Sequence, residues 1–148
     1  MSWVVLDASF LLHLLLSESG EALPVRLYRT WRAERTPLAA PSLALYEATN
    51  ALHRYALAEV LTLEEAETLL GQGLRLGIRF FQEPWLHTRA LELARALGLK
   101  AAYDAHYLAL AEGFRGAFWT ADRRLYQKAL EGQAQGLLSG VALNLLGP

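Results

Sequence analysis

The amino-terminal segment is a short apolar run that stops abruptly at an acid. Residues 3–6 are apolar, with two β-branched valines, and predict a buried strand that ends at Asp7. The run that follows, at about 9–16, is almost entirely apolar and predicts a buried helix. An aspartate at the carboxyl end of a buried parallel strand lies at the sheet edge where open α/β folds keep their ligand sites. Asp7 is therefore the first candidate for a functional side chain.

Length and composition restrict the class of protein. The chain has 148 residues, the size of one domain, so we expect residues 1–148 to form a single domain. Its 14 basic and 15 acidic side chains nearly cancel, so any binding of nucleic acid must use a local patch. Because the chain has no cysteine, disulfides and thiolate zinc sites are excluded.

The sequence has the pattern of neither an exported nor a membrane protein. Its start lacks the basic region of a signal peptide, and the apolar run there is broken at Asp7. No apolar run approaches the roughly 20 residues that a membrane helix needs. We therefore expect a soluble, cytoplasmic protein.

Predicted strands alternate with predicted helices along the chain. The strands are expected at 3–6, 37–41, 79–82, 117–120 and 141–143, and the helices at about 9–16, 22–34, 43–58, 62–73, 84–97, 104–112 and 122–130. Ser42 is expected to cap the third helix, Thr62 begins a capping box at the fourth, and Gly98 ends the fifth. This alternation predicts a three-layer α/β/α fold whose central sheet is mostly parallel.

Three further acids can be argued toward the same edge of the sheet as Asp7. Asp122 follows a predicted strand, Asp104 begins an apolar helix, and Glu47 lies inside one. Each has a simpler interpretation by itself, since an aspartate can cap a helix and Glu47 can belong to a solvated helix face. Ser9 could cap the first helix as well as Asp7 does, which would leave Asp7 free for another role.

Taken together, the four acids favour a metal site. Four carboxylates that converge in one pocket would repel one another, so some would stay protonated unless cations neutralise them. Oxygen ligands of this kind select Mg²⁺ or Mn²⁺, which keep bound waters and can accept a phosphate oxygen. We therefore interpret the four acids as ligands of divalent metal in an enzyme that cuts a phosphodiester. They are Asp7, Glu47, Asp104 and Asp122.

Four short segments occur in the order and spacing of a known family. They are VLDAS at 5–9, YEATNAL at 46–52, YDAHYLALA at 103–111 and WTADRRL at 119–125. From residue 4 to the final strand, the sequence resembles the PIN domain, and it looks most like the VapC-type toxins of toxin–antitoxin pairs. The resemblance implies a five-stranded parallel sheet and a Mg²⁺- or Mn²⁺-dependent endoribonuclease that cuts single-stranded RNA.

The resemblance also implies roles for individual residues. The four acids match the acids of the family site, while Ser9 and Thr120 match polar residues that support the site by hydrogen bonding. As a hypothesis for the mechanism, a water activated by the metal attacks phosphorus in line and leaves a 5′-phosphate and a 3′-hydroxyl. His106 departs from the family pattern, in which small polar residues are common, and we assign it no chemistry.

The expected partners are RNA, a second copy of the chain and a small antitoxin protein, the last two implied by the VapC resemblance. The apolar surplus at 11–16 and 23–31 suggests surface that a partner buries, although these side chains can also fill the core. Arg123 and Arg124 adjoin Asp122 and could contact RNA phosphates, or could simply be solvated. Aromatic side chains could stack on unpaired bases, but the sequence does not position them.

A binding module is the alternative to an enzyme. In that interpretation the metal is structural, and the PIN-like chain binds RNA or protein with little nuclease activity. Other kinds of site lack their patterns. The four histidines lack ligand spacing, the glycines at 71–77 follow a helix, and the sequence contains neither a Walker loop nor a nucleophile elbow.

Overall fold

The computed structural model describes residues 2–147, in which five parallel strands form one sheet. The strands are β1 (Val4–Leu6), β2 (Leu38–Pro41), β3 (Ile78–Phe81), β4 (Ala117–Thr120) and β5 (Ala142–Leu145). The helices are α1 (Ala8–Leu16), α2 (Leu23–Ala33), α3 (Leu43–Leu57), α4 (Leu63–Leu74), α5 (Pro84–Ala96), α6 (Tyr103–Phe114) and α7 (Arg123–Ala134). The predicted α/β class and the five-stranded parallel sheet are confirmed.

The order of strands across the sheet is β3-β2-β1-β4-β5, with the fully buried β1 at the centre. The chain moves outward from β1 through β2 to β3, then returns to the other side of β1 to form β4 and β5. Crossovers between parallel strands are right-handed. The helices that connect β1 to β2 and β2 to β3 therefore cover one face of the sheet, and the helices that connect β3 to β4 and β4 to β5 cover the other. Helices α1 to α4 therefore form one outer layer, and α5 to α7 form the other.

This topology brings four chain segments to one edge of the sheet. The carboxyl ends of parallel strands share an edge, and the direction of the chain reverses between β1 and β4, where such folds leave a crevice. Asp7 directly follows β1, and Asp122 follows β4 by two residues. Helix α3 starts at this edge because it directly follows β2. Helix α6 also starts there, because it ends just before β4 begins at the opposite edge.

The helix ends follow the predicted local chemistry with one exception. Thr62 and Glu65 form the predicted capping box of α4, and Gly98, with a φ of 68°, ends α5 as predicted. The prediction that Ser42 caps α3 is wrong. Its backbone is already helical, and its hydroxyl accepts no capping hydrogen bond from the described residues. A capping side chain needs an extended backbone at that position to reach the first amides.

Two boundaries lie later in the chain than predicted. Helix α7 continues to Ala134 instead of about 130, and Gly136, with a φ of 77°, then reverses the chain. As a consequence β5 occupies Ala142–Leu145 instead of 141–143.

Part of the leucine-rich segment in α1 and α2 fills the core. Leu11, Leu14 and Trp31 are buried, and Trp31 packs at 5.6 Å from the ring of Phe10. The suggestion that this apolar surplus is partner surface is therefore wrong for these side chains. Among residues 2–147, no helix combines the length and apolar character required to cross a bilayer.

Candidate active site

Asp7 is held in a fixed orientation beneath the surface. Its carboxylate is only 4% exposed, and Oδ1 accepts hydrogen bonds from the Phe10 amide at 2.9 Å and from Ser9 Oγ at 2.6 Å. Thr120 Oγ1 donates to the second oxygen, Oδ2. The amide contact makes Asp7 the N-cap of α1, so the alternative that Ser9 caps this helix is not realised. Asp7 thus acts as a cap and also lies at the candidate site.

Ser9 and Thr120 connect this aspartate to the loop after β4. Ser9 Oγ accepts a hydrogen bond from the Ala121 amide at 2.8 Å, and Thr120 Oγ1 accepts one from the Asp122 amide at 2.9 Å. Each hydroxyl therefore donates to Asp7 and accepts from the β4–α7 loop. This arrangement fixes the loop that carries Asp122 relative to the carboxylate of Asp7.

Burial raises the pKa of Asp7 from 3.8 to about 6. The hydrogen bonds from Ser9, Thr120 and the Phe10 amide oppose that rise, because they stabilise the charged form. The negative charge of Asp104 adds to the rise. Desolvation is the largest cause, so Asp7 is a carboxylate in a poorly hydrated pocket, held by neutral donors.

Asp104 lies where the charges of the other acids meet. Burial raises its pKa, and the carboxylates of Glu47 and Asp122 raise it further. Ala102 occupies the N-cap position of α6, so Asp104 is not the helix cap that the sequence allowed. Asp104 therefore lies in the first turn of α6, where its carboxylate is repelled by the carboxylates of Glu47 and Asp122.

Glu47 is oriented by a tyrosine that the sequence analysis did not single out. The hydroxyl of Tyr107, a side chain that is 1% exposed, donates to Glu47 Oε1 at 2.5 Å. Burial and the charge of Glu47 raise the pKa of Tyr107, so the phenol keeps its proton and remains the donor. Glu47 is half-buried, and it is not a member of a fully solvated helix face. One signal was available, since Tyr107 follows Asp104 by three residues and shares its helix face.

Asp122 begins the helix that follows β4. Its Oδ1 accepts from the amides of Arg124 at 3.0 Å and Leu125 at 3.2 Å, which makes it the N-cap of α7. Its second oxygen remains available for another ligand. The side chains of Arg123 and Arg124, proposed from the sequence as weak phosphate contacts, are exposed beside it.

The donor set suits a hard divalent cation that keeps much of its water. In the described part of the chain, the ion pairs join Arg89 to Glu92 and Glu112, so no basic side chain neutralises the four acids. Within residues 2–147, no three acidic or histidine side chains are arranged to hold one ion together. Mg²⁺ commonly binds one or two carboxylates and retains several waters, so carboxylates without a closed cage still fit it.

Comparison with known proteins identifies the fold family. The family model of the PIN domain matches residues 4–131. The chain belongs to the PIN domain family. Ribonuclease VapC3 from Pyrobaculum aerophilum is 38% identical to this PIN domain in an alignment of 91 residues that covers 58% of this chain. The match spans 66% of that relative, slightly less than two thirds of its length.

Two solved structures have the same architecture as this PIN domain. PAE2754 from Pyrobaculum aerophilum superposes with a TM-score of 0.69 at 27% identity, over 97% of this chain and 84% of that one. VapBC2 from Rickettsia felis, solved with a DNA fragment from its promoter, gives a TM-score of 0.67 over 96% of this chain and 98% of that one. At 12% identity, the second similarity concerns the fold alone.

A pair of histidines in α5 and α6 was not apparent from the sequence. His87 Nδ1 and His106 Nε2 are 3.0 Å apart, although the two residues belong to different helices. A search for metal-ligand spacing could not find the pair, because the contact depends on how α5 crosses α6. His106 follows Asp104 by two residues in α6, so the two side chains point to different sides of that helix.

Proposed function

We propose that this PIN domain is an endoribonuclease that cuts single-stranded RNA with Mg²⁺ or Mn²⁺, and that it is the toxin of a toxin–antitoxin pair. The proposal rests on the like-charge interactions of Asp104 with the other three acids, which come from separate elements at the carboxyl edge of the sheet. The relative named Ribonuclease VapC3 supports the same activity.

Asp7 and Asp104 are the acids that we assign to the metal first, since the charge of each lies close to the other. Asp7 and Asp104 would hold the divalent ion, which would supply neutralisation of the carboxylates, a more acidic water and stabilisation of the charge on the phosphodiester. Asp7 enters this role already oriented by Ser9 and Thr120. The cost of orienting it is therefore met in the folded protein before RNA binds.

Glu47 and Asp122 complete the site from two sides. Tyr107 fixes Oε1 of Glu47, which leaves Oε2 to accept a hydrogen bond from the attacking water or to join the metal. Asp122 has one oxygen engaged with helix amides and the other available. The neighbouring Arg123 and Arg124 are exposed, and we assign them to RNA phosphates near the cut.

We further propose a small antitoxin protein and a second copy of the chain as partners. Large apolar side chains around the turn from α3 to α4 are highly exposed: Leu57 is 71% exposed, and Val60 and Leu63 are each 67% exposed. Association that covers such side chains would be favourable, because it removes apolar surface from water. Light scattering of the purified chain measures the dimer, and a monomer at all working concentrations would contradict it.

The central experiment compares two conservative variants in an RNA cleavage assay with Mg²⁺ or Mn²⁺. Asp104→Asn keeps the shape of the side chain but removes its charge, so we expect cleavage to fall by about a hundredfold or more. Glu131→Gln makes the same chemical change at an exposed position on α7 and serves as the control. Undiminished metal-dependent cleavage by Asp104→Asn would contradict the assignment.

The binding-module alternative keeps one argument in its favour, which is the lack of a closed three-ligand cage within residues 2–147. It predicts that metal stabilises the wild-type protein without producing cleavage of any RNA tested. The enzyme predicts both effects together. Measuring the thermal shift and RNA cleavage in the same metal titration therefore separates the two functions.

A further inference from the structure

A cleft of about 350 Å³ opens at the same edge of the sheet as the acids, although its lining residues do not include them. It lies over the carboxyl ends of β2 and β3, and side chains of α3, α5 and α6 form its walls. Its apolar surface includes Leu43, Phe81 and Leu86. The volume is in the range of small-ligand pockets, so the cleft can accept a flat group such as one nucleobase.

Two tyrosines on the wall of this cleft expose large parts of their rings to solvent. Tyr46 is 74% exposed and Tyr103 is 64% exposed, and neither ring packs on another aromatic ring in the described part of the chain. Tyr46 directly precedes Glu47, and Tyr103 directly precedes Asp104. Both rings are therefore attached to the helices that carry two of the acids, one residue away from each acid.

The polar side of the cleft carries the histidine pair. His106 Nδ1 lies 2.8 Å from the carbonyl oxygen of Ala102, and because a carbonyl only accepts, this nitrogen must carry a proton. In the neutral ring, Nε2 is then an acceptor, and His87 Nδ1 donates to it. This leaves His87 Nε2 as a lone-pair acceptor without a protein partner within residues 2–147, at a cleft that both histidines line.

We propose that this cleft binds one unpaired nucleobase of the RNA, next to the phosphodiester that is cut. The base stacks on Tyr46 or Tyr103 over the apolar floor, and its polar edge faces His87. The proposal rests on the proposed ribonuclease function, since it names a binding position for that substrate. Stacking on exposed aromatic side chains is the usual way in which proteins hold single-stranded bases.

Continuity with the acids favours a nucleobase over a peptide as the occupant. Tyr46 and Tyr103 adjoin Glu47 and Asp104 near the starts of α3 and α6, and both helices start at the edge of the sheet where the acids lie. An RNA strand whose phosphate lies at Asp104 can therefore reach the cleft with a neighbouring base. The near-zero net charge also gives no broad electrostatic attraction, so local stacking has to supply much of the affinity.

The test measures kcat and KM for cleavage of short single-stranded RNA oligonucleotides of mixed sequence in Mn²⁺. Tyr46→Ala and Tyr103→Ala remove a stacking surface without touching the acids, so we expect KM to rise about tenfold for at least one of them. We expect kcat to change little, because the interaction is made equally in the bound substrate and the transition state. Tyr46→Phe and Tyr103→Phe retain the ring and should retain the wild-type KM.

Leu91→Ala is the matched control, since Leu91 is similarly exposed, at 69%, on α5, another helix that walls the cleft, but does not line the cleft. Unchanged KM in both tyrosine-to-alanine variants, as in Leu91→Ala, would overturn the nucleobase site and leave the ribonuclease proposal standing. Loss of a dimer in Tyr46→Ala would also overturn it, because the cleft would then hold a second copy. A wild-type chain that neither binds nor cuts RNA would refute the ribonuclease proposal itself.

Discussion

Asp7 combines two tasks that have opposite requirements. As the N-cap of α1, it needs a charged or polar oxygen that accepts from an amide, and the Phe10 amide supplies that contact. As a buried acid, it is destabilised in its charged form, and its pKa rises to about 6. Ser9 and Thr120 reduce this penalty with two further hydrogen bonds. The residue is therefore ionised at neutral pH only at a cost to the metal-free fold.

The first prediction concerns the pH dependence of stability in the metal-free protein. Asp7 binds a proton more tightly in the folded state, so stability decreases as pH rises from 3.8 to about 6. The shift of about two pKa units corresponds to about 3 kcal/mol. Asp7→Asn removes this titration while keeping an acceptor for the Phe10 amide. We expect the variant to be more stable than wild type at neutral pH.

Urea unfolding in chelator, at several pH values between about 4 and 7, measures this effect. Glu131→Gln, a change at an exposed carboxylate, should follow the wild-type curve. Parallel curves for Asp7→Asn and wild type would mean that Asp7 does not hold the additional proton.

At the scale of whole elements, close approach between backbones positions the two central strands. A Cβ added at Gly116, just before β4, would lie 2.4 Å from the carbonyl oxygen of Trp3, just before β1. That carbonyl accepts a hydrogen bond from the Ala117 amide at 3.0 Å, so it is fixed where the two strands begin to pair. The same pairing brings Thr120 to Asp7 at the far end of the strands. Gly116 therefore contributes to the site indirectly, because it allows β1 and β4 to approach closely enough to pair.

The second prediction compares two glycine-to-alanine variants. Gly116→Ala must displace backbone that belongs to the sheet, so we expect a loss of about 3 kcal/mol in the free energy of unfolding. Gly71 lies inside α4, where an added Cβ would meet Arg75 at an ordinary 3.5 Å. Gly71→Ala should therefore stabilise the protein by about 0.5–1 kcal/mol, because alanine favours the helix. Urea denaturation of both variants gives the two values, and equal effects would contradict the steric argument.

For the whole molecule, the unneutralised acids predict that stability depends on divalent metal. Burial, together with neighbouring carboxylates, raises the pKa values of Asp7 and Asp104, so their charged forms are disfavoured in the metal-free fold. An ion that binds them only in the folded state stabilises the protein by mass action. The effect is independent of catalysis, and it can be measured before any RNA substrate is known.

The third prediction is a metal-dependent thermal shift. At about a hundred times its dissociation constant, Mn²⁺ or Mg²⁺ should contribute about 2.7 kcal/mol, which raises Tm by about 5–10 °C in a chain of this size. Asp104→Asn should abolish most of the shift, while Glu131→Gln should retain it. Differential scanning fluorimetry with a metal titration measures both. An equal shift in Asp104→Asn and wild type would place the ion elsewhere.

The sequence by itself determined the elements and their alternation, because strand and helix periods are local properties. The buried run at residues 3–6, the capping box at Thr62 and the glycine at the end of α5 each involve neighbours in the chain. It also supplied the four acids as candidates, through motif order and resemblance. Their catalytic roles remain predictions.

Only the tertiary structure decided which side chains contact one another across elements. Tyr107 donates to Glu47 from 60 residues away, and His87 contacts His106 from a different helix. Ser42 had the right residue type for a cap, but its backbone is helical in the folded protein. Such contacts depend on how helices cross and how strands are ordered. Those are properties of packing between distant segments, so a local pattern in the sequence cannot specify them.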